Sequence, residues 1–257
     1  MKNGSMITSA GAVVGVIPAR WGSTRLPGKS LAPLCGKPLV QWVYERARQA
    51  RVLSDLVVAT DDERIRAAVE GFGGHAVMTR SDHPSGTDRI AEAVRGRPAD
   101  VIINIQGDEP LIDPRLIDSL GDVMQADAAW DMATAATPIS HPADLNNPAV
   151  VKAVWDRDGR ALYFSRSVIP FVRDTAPAGP PLHWRHIGIY AYRRAFLEKL
   201  VAEPPCPLEQ AEKLEQLRAL FIGGRMKVLP TREAAVGVDT PEDVPRAEEA
   251  LRRAGLA

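Results

Sequence analysis

Cysteine is scarce in this chain: Cys35 and Cys206 are the two among 257 residues. Two thiols so far apart exclude a disulfide scaffold and a metal knuckle, and both are read as reduced. A charge excess is missing too, because Lys+Arg and Asp+Glu each total 32. That balance argues against a nucleic-acid surface and an acidic tail, so any cationic site is local. No run approaches the ~20 apolar residues of a membrane helix. The short apolar stretch at 12–17 ends at Pro18-Ala19-Arg20 and reads as a strand, not a signal peptide. There is no Gly-x-Ser-x-Gly elbow, no zinc spacing among the five His and two Cys, and no Gly-x-Gly-x-x-Gly after a strand. Hydrolase, zinc enzyme and dehydrogenase therefore have little support. The expectation is a soluble, cytoplasmic protein without nucleic-acid or membrane partners.

What is present is an alternation of apolar strands and amphipathic helices. Residues 12–17, 55–59, 75–78 and 101–106 read as strands, with helices at 38–50, 62–72 and 87–95 between them. Strands apolar on both faces and separated by helices predict a parallel sheet covered on both sides. After about residue 131 the pattern changes to strands at 132–139, 150–155, 161–164 and 187–192, with Asp158-Gly159 as a hairpin signal. This part is expected to be antiparallel or mixed. A helix over 207–220, a strand over 226–230 and a closing helix over 241–253, capped by Thr240 with Pro241 at its first position, complete the prediction.

Four constellations carry chemistry. The loop after the first strand holds Arg20, Arg25 and Lys29 beside Gly22 and Gly28, charges and N–H groups suited to a polyphosphate. It nearly matches a Walker A loop, but one extra residue and Pro27 before the second glycine argue against a true P-loop. Gln106-Gly-Asp-Glu-Pro110 follows the most apolar strand, at the strand end where open α/β sheets bind ligands. Asp108 reads there either as a Mg²⁺ ligand or as a helix cap. Gly237-Val-Asp-Thr-Pro-Glu-Asp243 offers Asp239 as a second carboxylate or, again, as a cap. Residues 78–88 form a polar loop in which Thr87 caps a helix, or Arg80 and Ser85 read a base edge. Arg166 on an apolar strand costs desolvation unless an anion meets it, which points to a carboxylate or phosphate. His186 reads more simply as a buried ring satisfied by a carbonyl.

Taken in order, these segments resemble one family, the 3-deoxy-manno-octulosonate (Kdo) cytidylyltransferases, or CMP-Kdo synthetases. The likeness runs from about residue 13 to 253 and is carried by Ile17-Pro-Ala-Arg20, Ser23-Thr-Arg-Leu-Pro-Gly-Lys29, Met78-Thr-Arg80 with Ser85-Gly-Thr87, Gln106-Gly-Asp-Glu-Pro110, Ala161-Leu-Tyr-Phe-Ser-Arg166, His186-Ile-Gly-Ile-Tyr190, Leu214-Glu-Gln-Leu-Arg218 and Gly237-Val-Asp-Thr-Pro-Glu-Asp243. Ser30 departs from the proline of many members, and residues 1–11 add nothing to the match and are expected to be disordered.

The resemblance implies a Rossmann-like α/β nucleotidyltransferase, a single domain over 12–257. Its mostly parallel sheet is flanked by helices, with a smaller mixed or antiparallel region at about 132–192 for sugar binding and dimerisation. It implies transfer of a cytidylyl group from CTP to the anomeric hydroxyl of Kdo, with Mg²⁺ required, pyrophosphate released and a homodimer as the working form. In that reading Ala19, Arg20, Ser23, Arg25, Lys29, Arg80, Ser85, Gly86 and Gln106 bind the nucleotide. Asp108 and Asp239 hold the metal and, with Arg20, Arg25 and Lys29, form the catalytic set. Gln106, Arg166, His186, Tyr190, Glu215 and Gln216 bind the sugar acid. Glu215 at the edge of the stripe Leu208, Ala211, Leu214 and Leu217 reads alternatively as a solvated flank.

Overall fold

The computed structural model describes residues 11–22, 26–174, 179–232 and 237–257. The extension expected over residues 1–11 falls almost wholly outside them. In chain order the elements are β1 (Val13–Ala19), β2 (Pro33–Leu34), β3 (Lys37–Pro38), α1 (Leu39–Ala47), β4 (Asp55–Thr60), α2 (Glu63–Gly71), β5 (Ala76–Met78) and α3 (Gly86–Ala93). These are followed by β6 (Val101–Asn104), α4 (Pro114–Ala126), β7 (Met132–Pro138), α5 (Pro142–Leu145), β8 (Lys152–Trp155) and β9 (Ala161–Ser165). The remainder is β10 (Trp184–Arg193), α6 (Arg194–Ala202), α7 (Pro207–Glu212), α8 (Gln216–Phe221), β11 (Met226–Pro230) and α9 (Asp243–Arg253).

One large sheet runs β11-β7-β10-β6-β1-β4-β5, with β8 paired to β10 and β9 to β8. β1 sits between β4 and β6, parallel to both, and its residues Val13, Val14, Val16 and Ile17 are buried. A strand apolar on every residue needs cover on both faces. Two clusters supply it: Ile17, Ile103 and Ile105 pack with Val43, Ile65 and Leu120 on one side, and Val16, Ile102 and Phe164 with Ile90, Leu197 and Leu217 on the other. Each such buried aliphatic side chain contributes roughly 1.5–3 kcal/mol of transfer free energy.

Apart from the small antiparallel β2–β3 pair, the antiparallel strands do not form a separate sheet. β10 joins β6 on one side and β7 on the other, both antiparallel, and β11 adds parallel to β7. The predicted 132–192 region thus extends the parallel sheet, and only the β8–β9 hairpin branches from it.

Three helix predictions need correction. The expected helix over 207–220 is two helices, broken where Lys213 adopts a left-handed conformation (φ 53, ψ 48). The third helix is capped by Ser85, whose side chain accepts from Asp88 N, not by Thr87. The last helix begins at Asp243 with Glu242 at its N-cap, not at Thr240. That helix closes a small third core, in which Val238, Ala247 and Leu251 pack on Leu34, Leu39 and Trp42. Residues 237–239 are thereby pinned beside the segment that follows β1.

Candidate active site

A cleft of about 360 Å³ opens past the carboxyl ends of β1 and β6, lined among others by Arg20, Lys29, Ser85, Gln106, Asp108 and Asp239. Gly107 permits the close approach of these two strand ends: a Cβ there would lie 2.8 Å from the Pro18 carbonyl oxygen. The next residue, Asp108, accepts a main-chain hydrogen bond from Val238 at 2.9 Å. This bond draws the segment carrying Asp239 against the segment carrying Asp108. Neither aspartate caps a helix; Asp113 caps α4 through Arg115 N, and Asp243 accepts from the amides of Asp239 and Thr240. Both carboxylates reach one cation.

That cation is Lys29. Its ammonium donates to Asp108 Oδ2 at 2.7 Å and Asp239 Oδ1 at 3.0 Å. Burial would lower its pKa, but the charges and hydrogen bonds of Asp108 and Asp239 outweigh this and raise it above 10.5. The ammonium stays charged. Its approach depends on Gly28, which has φ 67 and donates its N–H to the Trp21 carbonyl at 3.2 Å. The Trp21 ring lies over Gly28, and the Arg64 guanidinium lies 3.3 Å from its centroid. The loop carrying Lys29 is thus fastened to the start of α2.

Gln106 donates to the Gly188 carbonyl at 2.7 Å. Glu109 does not line the cleft; burial and then Asp108 push its carboxyl up to about 7, with Arg185 opposing. The start of α3 brings Ser85 and Gly86 to the cleft. A second hollow, lined by Glu215, Lys213 and Arg218, shares Pro84 and Ser85 with it.

The predicted residues separate as follows. Ala19, Arg20, Lys29, Ser85, Gly86, Gln106, Asp108 and Asp239 line one cleft. Ser23 and Arg25 lie outside the described residues. Arg80 points away: its guanidinium pairs with Asp82 at 2.9 Å and is two-thirds exposed. Among the described residues the Arg166 guanidinium donates to the carbonyls of Pro148, Glu212 and Lys213. Those carbonyls satisfy the group that the sequence reading assigned to a carboxylate or phosphate. His186 bonds Thr134 at 2.9 Å and stacks edge-on against Phe164 and beside Tyr190, behind the cleft lining. Desolvation holds the His186 pKa down to about 3 and the Tyr190 phenol well above 10, so both are neutral. Glu215 accepts a hydrogen bond from Thr87, and Gln216 is buried in α8; neither lies on a continuous helix flank.

Sequence reasoning missed His83 and Arg89, which also line the cleft. Arg89 is buried and donates to Asp61 at 2.9 Å and Thr79 at 2.5 Å, while His83 contacts Glu92. The spacing Ser85 to Arg89, one turn along α3, was the available signal for Arg89.

Residues 14–228 match the family model described as cytidylyltransferase. The chain belongs to the cytidylyltransferase family. A 3-deoxy-manno-octulosonate cytidylyltransferase from Syntrophobacter fumaroxidans is 53% identical over 90% of this chain and 94% of its own length. An 8-amino-3,8-dideoxy-manno-octulosonate cytidylyltransferase from Shewanella baltica is 49% identical over 92% and 97%. Among solved structures, a CMP:2-keto-3-deoxy-manno-octonic acid synthetase complexed with CTP superposes with a TM-score of 0.89 at 45% identity, covering 95% of this chain and 99% of that one. A 4-diphosphocytidyl-2C-methyl-D-erythritol synthase from Anaerococcus prevotii shares the fold, with a TM-score of 0.63 at 14% identity. In this cytidylyltransferase the sheet and the strand-end cleft are therefore those of a nucleotidyltransferase.

Among the described residues no group of three or more His, Cys, Asp or Glu side chains could hold a metal ion. A pair of carboxylates is nonetheless what Mg²⁺ requires when phosphate oxygens and water complete its shell. Asp108 and Asp239, both within 3.0 Å of one ammonium, fit that demand: a site that already gathers two carboxylates about a cation is the right donor set for a hard metal.

Proposed function

We propose that this enzyme transfers the cytidylyl group of CTP to the anomeric hydroxyl of Kdo, giving CMP-Kdo and pyrophosphate and so activating the sugar for lipopolysaccharide assembly. The observation that carries the reading is Lys29 held between Asp108 and Asp239 at the strand-end cleft, in a chain 53% identical to a curated Kdo cytidylyltransferase. The reaction is an in-line attack on the α-phosphorus, in which charge on the equatorial oxygens must be stabilised and pyrophosphate must leave. Arg20 and Lys29 supply positive charge in the cleft. Ser85, Gly86 and Gln106 face the same space and orient the substrates. Asp108 and Asp239 would hold Mg²⁺, which when bound supplies Lewis acidity and lowers the pKa of a coordinated hydroxyl. No side chain is assigned as general base.

The proposal extends to a cytoplasmic homodimer. Free thiols at Cys35 and Cys206 support the compartment, and no helix among the described residues is long and apolar enough to cross a membrane. The exposed Leu162 and Phe171 support an interface near the β8–β9 hairpin.

Incubation with CTP, Kdo and Mg²⁺ should release pyrophosphate, with little release from ATP, GTP or UTP. Phosphate or CDP without pyrophosphate would indicate a phosphotransferase instead. The 49% identical relative makes 8-amino-3,8-dideoxy-manno-octulosonate a second acceptor to measure. A higher kcat/KM for that sugar than for Kdo would assign the chain to the amino-sugar reaction.

A further inference from the structure

The two carboxylates assigned to the metal already share a cation. Lys29 Nζ stands 2.7 Å from Asp108 and 3.0 Å from Asp239, and these two are the only carboxylates among the described residues lining the cleft. Converging carboxylates repel one another, and in a partly desolvated cleft an intervening ammonium offsets that repulsion. A divalent ion held by both oxygens' owners competes with this ammonium for the same charges. Lys29 has three donors on a flexible stem, and it can turn to another acceptor without unfolding its loop. A phosphate chain entering the cleft would offer its ammonium such an acceptor.

We propose that Lys29 is a placeholder for the metal, neutralising Asp108 and Asp239 until a nucleoside triphosphate draws its ammonium away and leaves both carboxylates to the divalent ion. The inference rests on the proposed use of Asp108 and Asp239 as metal ligands. Its consequence is thermodynamic. The triphosphate and the metal bind cooperatively because each favours the arrangement in which Lys29 has left the aspartates, and the coupling is reciprocal. A nucleotide-free enzyme accordingly holds the metal weakly, although its ligands are already gathered.

The test uses Mn²⁺ as the probe, counted as free ion by electron paramagnetic resonance, with the full chain and no sugar acid present. Without nucleotide, Lys29→Met is expected to bind Mn²⁺ at least about tenfold more tightly than wild type, within the usual range of such couplings. Lys29→Arg, which keeps the charge, should remain as weak as wild type. Adding CTP should tighten Mn²⁺ binding in wild type by at least about tenfold more than in Lys29→Met. Thermal melts confirm that each variant is folded. Adding Asp108→Asn to Lys29→Met must remove the gain. Equal Mn²⁺ affinity in wild type and Lys29→Met, with Asp108→Asn weakening both, would overturn the placeholder and leave the metal site standing. Mn²⁺ affinity indifferent to Asp108→Asn in every background would overturn the metal reading itself.

Discussion

At the scale of single residues, the site depends on side chains whose ordinary duties are taken over by neighbours. Asp239 stands in a Gly-Val-Asp-Thr-Pro context that suits a cap, yet Asp243 receives the turn's amides, while the Asp239 carboxylate accepts from Lys29. Asp239→Ala is therefore expected to lower Mg²⁺-dependent pyrophosphate release by about 10²–10³, the scale of losing one charge-stabilising group, while the circular dichroism spectrum and melting temperature stay near wild type. Unchanged turnover would return Asp239 to a structural role. Gly28 is a second such residue. Its φ of 67 costs an L-residue roughly 1–2 kcal/mol, and a Cβ would stand 3.0 Å from the Trp21 ring. Gly28→Ala should accordingly misplace Lys29 and raise the KM for CTP several-fold; a variant with wild-type KM and stability would show that the loop tolerates the methyl.

At the scale of elements, the β10 bulge shows how main chain is diverted to build a site. Between Ile187 and Tyr190 the pairing with β7 shifts register, freeing carbonyls that need donors. Thr134 Oγ1 approaches the carbonyls of Ile187 at 3.2 Å and Ile189 at 2.8 Å, and Gln106 serves Gly188. Gln106 is aimed by a defect in a neighbouring strand. The sequence displayed His186-Ile-Gly-Ile-Tyr190 but not this consequence, because the partner, Thr134, lies 52 residues earlier. The parallel strands were legible, since Val13 to Ile17 and Val101 to Ile105 are apolar without alternation. The convergence of Lys29, Asp108 and Asp239 was also readable from their places after strands. The carbonyl acceptors of Arg166, by contrast, leave no mark in a sequence. The break at Lys213 was hidden by the continuous spacing of Leu208, Ala211, Leu214 and Leu217. Its side chain is exposed and its φ is 53, so Lys213→Gly should hold or slightly raise the melting temperature, whereas Lys213→Val should lower it, with a stability loss of about 1 kcal/mol or more. Equal melts for the two variants would mean that the two helices do not require the left-handed turn.

At the scale of the whole molecule, one sheet carries both the nucleotide-facing and the antiparallel strands, so a group buried behind the cleft affects the stability of the entire fold. His186 is such a group. Thr134 has a single hydroxyl proton, and the 2.8 Å contact to the Ile189 carbonyl claims it, so His186 Nε2 is the donor in their shared bond. A second proton on the ring would sit at Nδ1 among Phe164 and Tyr190, where desolvation disfavours charge and holds the pKa near 3. An unfolded histidine titrates near 6.5. Above that value neither state carries the extra proton and the contribution of the neutral ring to stability is complete. As pH falls from about 6.5 toward 3, the unfolded chain takes up a proton that the native fold refuses, and stability is lost. The loss between pH 7 and 5 is on the order of 1–2 kcal/mol. His186→Gln retains an N–H donor for Thr134 and cannot titrate. Urea unfolding at pH 5 and 7 should therefore show a smaller stability difference in His186→Gln than in wild type. An identical difference in both proteins would mean that the acid sensitivity arises from other groups and that His186 accepts its proton inside the folded sheet.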